Sequence, residues 1–188
     1  MAGNLETGQP PPATVGSGAT GLNFYRPERR VVALLFFAPA FYEFWWYWQL
    51  FAFTRREGFP RARRFWWILI PIYGWVVLYR QFDDLAQVTA RGRPAFSSGT
   101  AIWLVIFSWL AGNASFRIND AYTSFGAFIV SSAFIAFAGA LVQPGANAYL
   151  EDRYPQARPS SMTWGEITAA VLGIVLFVLE VLLTFAWS

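Results

Sequence analysis

From Ile167 to Trp187 the chain runs about 20 residues with one charged group, Glu180. An apolar helix of that length matches the ~30 Å hydrocarbon layer of a bilayer. Four more hydrophobic segments precede it, at 31–53, 65–82, 99–113 and 124–143, with the last at 166–187. In all, 56% of the 188 residues are hydrophobic and 13% are charged. A soluble domain of this size has too little core to keep helices that are apolar on every side away from water. The pattern shows no ten-residue alternation of the kind a membrane β-barrel needs. The expected fold is therefore an all-α integral membrane protein with one helical domain over 25–188. Residues 1–24, rich in Gly, Pro, Thr and Ala, read as a disordered tail without the basic and apolar regions of a signal peptide.

The last segment opens on Thr163 and Glu166, the spacing of a capping box, in which each residue satisfies a free backbone N–H of the other. The first two segments are interrupted, one at Pro39 and one at Pro71 with Gly74. Each follows an arginine pair, Arg29–Arg30 or Arg63–Arg64. Each carries a tyrosine and a glutamine at matching offsets past the proline, Tyr47 and Gln49 or Tyr79 and Gln81. This reads as a degenerate tandem repeat. Charge decides how the units meet a membrane. Cytoplasmic loops collect arginine and lysine. Five full spans would divide the 14 arginines eight against six. Two re-entrant units followed by three spans would place thirteen on one side and Arg117 alone on the other. The orientation rule favours re-entry, with five full spans as the alternative.

The stretches "FYRPERRVVALLFFAPAFYEFWWYWQLF" and "FWWILIPIYGWVVLYRQFDDLAQ" resemble uncharacterised bacterial multi-spanning membrane proteins, a family of unknown function. Their early segment reads Thr-Phe-Gly-Ile-Tyr-Glu-x-Tyr-Trp-Phe-Tyr. Tyr42, Glu43 and Trp46 match it, and Ala40 replaces the glycine. "LVQPGANAYLEDRYP" and "TWGEITAAVLGIVLFVLEVLL" resemble the family's last third. The resemblance implies a multi-pass protein of the bacterial cytoplasmic membrane, and it supplies no activity, cofactor or active site.

Two carboxylates fall inside hydrophobic segments. An intramembrane charge costs about 2.5–3.5 kcal/mol on insertion scales, so each needs a partner, water or a proton. Glu43 would lie by the break at Pro39, bonded to freed backbone or paired with Arg80. Glu180 shares a helix face with the small-residue stripe Gly165, Ala169 and Gly173. That face should pack on Ser132, Ala136 and Ala140 of the fourth segment and turn Glu180 into the bundle. Arg55, Arg56, Arg61, Arg63 and Arg64 form a basic loop suited to lipid headgroups. Asp83 and Asp84 balance Arg80 and the phosphate surface, and Trp45 to Trp48 with Trp66 and Trp67 suit an interfacial aromatic belt.

The chain has no Cys, His or Lys. That removes thiolates, the common zinc ligands, and the usual bases that would activate Ser131 or Ser132. No catalytic residue, cofactor or metal site is expected, and the modest basic charge reads as membrane orientation rather than nucleic-acid binding. The function expected is binding of membrane lipids or partner helices without catalysis, in a homo-oligomer or with a membrane partner. The alternative is a small transporter or channel component with Glu43 and Glu180 on a proton or cation path.

Overall fold

The computed structural model describes residues 24–70, 72–89, 96–156 and 158–186. The expected tail, except for Phe24, lies outside these residues, as do Pro71, Arg91 and Arg93. Among the described residues the fold is all-helical: α1 (Glu28–Phe37), α2 (Pro39–Arg56), a 3-10 helix (Phe65–Leu69), α3 (Tyr73–Thr89), α4 (Ser98–Ser115), α5 (Ala121–Arg153) and α6 (Trp164–Ala186). Two of these, α5 and α6, are long and apolar enough to cross a membrane.

The break in the first segment has a local cause. A residue before proline is disfavoured in the helical region. Ala38 sits at φ −134°, ψ 45°, and Pro39 then opens α2 at a position where its missing N–H costs nothing. The result is a hairpin. The Phe24 ring, ahead of α1, stacks on Phe53 near the end of α2 with centroids 5.2 Å apart. Arg30 of α1 and Tyr42 of α2 both reach one carboxylate, that of Glu166. On a continuous helix their Cα atoms would stand about 18 Å apart. Phe24 is thus a core residue and not the end of the tail.

The second segment also doubles back. Arg61 donates its backbone N–H to Asp84 on α3, and its carbonyl accepts from Gln81. From there the chain runs through the 3-10 helix, turns at Ile70 and Ile72, and returns as α3. Ile72 holds φ 64°, left-handed backbone that a β-branched residue adopts only at a cost of roughly 1–3 kcal/mol. Gly74 lies against the Ile68 carbonyl with no room for a Cβ. The two units are not copies in form: the first has two α-helical arms, the second one α-helical arm and one built on a short 3-10 helix. Tyr47 is buried while Tyr79 is exposed.

The remaining helices start on side-chain caps. The Ser97 hydroxyl accepts from Thr100 N–H and the Asp120 carboxylate from Thr123 N–H. Helices α4 and α5 lie side by side, tied by Ser108 and Ser131, each hydroxyl donating to the other's carbonyl at 2.9 and 2.8 Å. Helix α5 continues through Pro144 to Arg153, so the fourth segment carries the polar helical extension that "QPGANAYLEDR" suggests. Ser131 and Ser132 serve packing, with the Ser132 hydroxyl bonded to the Phe128 carbonyl.

The stripe on α6 packs on the first hairpin, not on α5 as expected. A Cβ on Gly173 would meet the Ala38 Cβ at 2.5 Å and its Cα and O at 2.7 Å, and Gly165 lies against the Trp45 indole. The smallest face of α6 is needed where a backbone turn, rather than a helix, abuts it. Gly173→Ala should therefore force backbone apart, at a cost of about 1–3 kcal/mol. Its thermal midpoint in detergent should fall well below that of Gly126→Ala, where a Cβ meets open space; equal midpoints would contradict the contact.

Candidate functional site

Glu166 is the centre of a buried polar knot. Its backbone N–H donates to the Thr163 hydroxyl oxygen at 3.2 Å, which is half of the expected capping box. The other half does not form, because the carboxylate turns inward. It accepts from Arg26 Nε at 3.1 Å and from the Tyr42 hydroxyl at 3.2 Å, and it forms an ion pair, without hydrogen-bond geometry, with Arg30 Nε at 3.2 Å. The Arg26 and Glu166 side chains are both 0% exposed. The Arg26 guanidinium lies 4.3 Å over the Trp45 ring, and its two terminal nitrogens have no hydrogen-bond partner. An aromatic face takes up part of the charge that bonding leaves over. A second layer fixes the backbone beneath. Asn147 donates to the Arg26 carbonyl at 2.7 Å, and Gln143 donates to the Phe24 carbonyl at 2.9 Å and accepts from the Trp46 indole at 3.0 Å. None of these residues was singled out for this role in the sequence, where Glu166 read as a helix cap. The available signal was a buried-side pair, Gln143 and Asn147, spaced by one turn.

Glu43 sits elsewhere. Among the described residues it forms no ion pair with Arg80, which is exposed, and its near neighbour is the Tyr47 hydroxyl one turn along α2. It lines a cavity of about 360 Å³ between the two hairpins and α4. Phe44 and Tyr47 of α2 form one wall with it. Ile68, Leu69, Ile70 and Ile72 form the second, Trp75 and Leu78 of α3 the third, and Val105 and Trp109 of α4 close it. Glu180 is half-buried on α6 and lines neither this cavity nor the groove between α1 and α5. The structure therefore does not bring Glu43 and Glu180 into one space.

The basic loop divides. Asp83 and Asp84 clamp Arg61 rather than balance Arg80: Arg61 meets Asp83 at 2.6 Å and Asp84 at 2.5 Å. Hydrogen bonds to Asp83 and then Asp84 raise the Arg61 pKa further above its ordinary value. Arg61 is thus a strut between the loop and α3. Arg55, Arg63 and Arg64 are exposed, and no carboxylate among the described residues pairs with them. Arg56 is exposed as well. Arg55 and Arg64 line a cleft of about 80 Å³ with Trp48, Phe51, Phe65 and Trp66. Among the described residues no group of three or more acids is placed to hold a metal ion.

The aromatic run likewise splits. Trp48, Trp66 and Trp67 are exposed, as a belt requires, whereas Trp46 is fully buried in the core and Trp45 faces Arg26. The helix period decides this, since residues 45 to 48 point in four directions around α2.

No protein-family model matches the chain, and neither does any curated protein or solved structure.

Removing Glu166 leaves the fully buried Arg26 without its anion. Glu166→Gln should cost about 3–5 kcal/mol, the usual penalty for breaking a buried ion pair. Arg30→Gln, whose side chain is 21% exposed, should cost about 1 kcal/mol or less. Equal shifts of the unfolding midpoint in detergent would show that the knot is not centred on Arg26.

Proposed function

We infer that the chain is an integral membrane protein whose two hairpins enter from one face while α4, α5 and α6 cross, and that it binds anionic lipid at that face. The observation that carries this is the arginine distribution. Glu166, Arg26 and Arg30 bring the start of α1 to the α5–α6 loop. Tyr149 and Tyr154 donate to Glu57, which brings the end of α2 there too. Ser98 donates to Asp83, which ties the start of α4 to the second hairpin. Every described arginine except Arg117 thus belongs to one end of the molecule, and Arg117 follows α4 at the other. Positive charge gathered at one end is the mark of a cytoplasmic face.

Burial supports the same placement. The outer side of α6 presents Val171, Leu172, Val175, Leu179 and Leu182 uncovered, a surface that water disfavours at roughly 25 cal/mol per Å². The tip of the first hairpin, Ala38, sits against Gly173, seven residues past Glu166. That is about 10 Å below the arginine-bearing end, a third of a ~30 Å hydrocarbon layer, so the hairpin dips in without crossing. At the mouth, the Arg55–Arg64 cleft offers unpaired guanidinium groups beside two tryptophans. Guanidinium forks match phosphate oxygens, and indole rings settle at the headgroup level.

Two experiments test this. The chain has no Cys, so single cysteines report topology cleanly. Gly58→Cys should label with an impermeant thiol reagent from the same membrane face as Gln156→Cys, and Ala121→Cys from the opposite face. Labelling of Gly58→Cys with Ala121→Cys would mean that the first segment spans. Lipid extracted with the purified protein should be enriched in anionic phospholipid. Arg55→Gln with Arg64→Gln should lose most of that enrichment, and Arg117→Gln should not. Equal enrichment in all three proteins would remove the lipid-binding reading.

A further inference from the structure

The cavity between the hairpins is not part of the arginine face, and its chemistry is opposite in sign. One carboxylate, Glu43, looks into a space otherwise walled by hydrocarbon and aromatic rings. The Tyr47 hydroxyl, one helical turn along, is buried beside the Glu43 carboxylate and leaves it without a cationic partner. No ion pair from an arginine reaches Glu43 among the described residues. A carboxylate with no cation beside it in an apolar space favours whatever brings a positive charge to it. A bare metal ion fits poorly, because hard cations take six or more oxygens and the walls offer a carboxylate and a phenol. The walls suit a different guest. Trp75 and Trp109 meet edge to face at 5.4 Å, and Phe44 and Tyr47 stand across from them on α2. Aromatic faces attract a diffuse organic cation and also bury its apolar groups. The volume, about 360 Å³, equals that of roughly a dozen water-sized groups and falls within the range of small-molecule sites. The wall at Ile72 is preformed, held in left-handed backbone and backed by the close approach of Gly74 to Ile68.

The geometry points to a binding site for a small membrane-soluble organic cation, with Glu43 as counter-charge and the Trp75, Trp109, Phe44 and Tyr47 rings as its cage. The site needs the membrane placement proposed above only for the route of entry, so binding is testable in neutral detergent. Benzyltrimethylammonium and neopentylbenzene form a matched pair, since a carbon replaces the charged nitrogen and the shape is kept. Equilibrium dialysis of the purified full chain, backed by ligand-induced shifts of the unfolding midpoint, measures both.

The wild-type protein should bind the cation more than about tenfold tighter than the neutral isostere. Glu43→Gln should erase that preference while the neutral compound binds as before. Val105→Trp, which fills the space from α4, should weaken both. Equal affinities in wild type would mean a protonated Glu43 and a neutral guest, and would overturn the proposal. So would no binding of either compound, or an undiminished preference in Glu43→Gln. Should Glu43→Gln fail to fold, Trp109→Leu carries the test: it keeps the charge and removes a ring, so cation affinity should fall and neutral affinity should hold. Arg55→Gln with Arg64→Gln should leave cation binding unchanged, so the lipid reading and this one fail separately.

Discussion

The fold hangs on the Glu166 carboxylate. Three segments far apart in sequence end at its two oxygens: the approach to α1 through Arg26 and Arg30, the returning arm through Tyr42, and α6 itself. Burying such charges costs several kcal/mol each, and an ion pair recovers this only with good geometry and further bonds. Here the further bonds are the tyrosine hydroxyl, the Ser160 carbonyl on Arg30 and the Trp45 face under Arg26. The net contribution to stability is small, but the specificity is large. Any other pairing of the hairpin with α6 would leave Arg26 buried and unmatched.

That anchor sets the rest of the architecture by distance. With Glu166 holding the open end of the hairpin, the closed end must fall near Gly173, and a side chain there would collide with the turn. With α2 held on that side by α6, its opposite face, bearing Glu43 and Tyr47, is turned toward the second hairpin and α4. The second hairpin has its own, weaker anchor in Arg61 between Asp83 and Asp84, nearer to solvent. A cavity remains between the α2 arm of the first hairpin, the second hairpin and α4. It holds the Glu43 carboxyl group, while the open ends carry the arginines.

Legibility in the sequence followed the range of the physics. Helix positions were readable because apolar runs, the Thr163 cap and the prolines act within a turn or two. The hairpin at Ala38 was readable for the same reason, through the restriction that Pro39 places on the residue before it. Glu166 was misread in role though not in place. A Thr-x-x-Glu spacing is a sound local signal, but a buried arginine offers the carboxylate more than a backbone N–H does. The stripe Gly165, Ala169 and Gly173 marked a close approach correctly and named the wrong neighbour. Small residues say that backbone comes near and do not say which backbone. Asp83 and Asp84 were linked to Arg80, close in sequence, when Arg61 reached them through the turn.

Helical class could be read from the chain alone. An all-helical fold with apolar helices long enough to cross a membrane, and a residue inventory without Cys or His, follow from composition and run length. These are properties of single segments in their solvent. The tertiary structure decided which carboxylate is spent and which is left open. Glu166, apparently a surface cap, is fully paired in the core, while Glu43 and Glu180, apparently alike, part company into a cavity wall and a half-buried helix face. Partner choice for a charge depends on which backbones a turn brings together, and that is a long-range outcome no local pattern encodes.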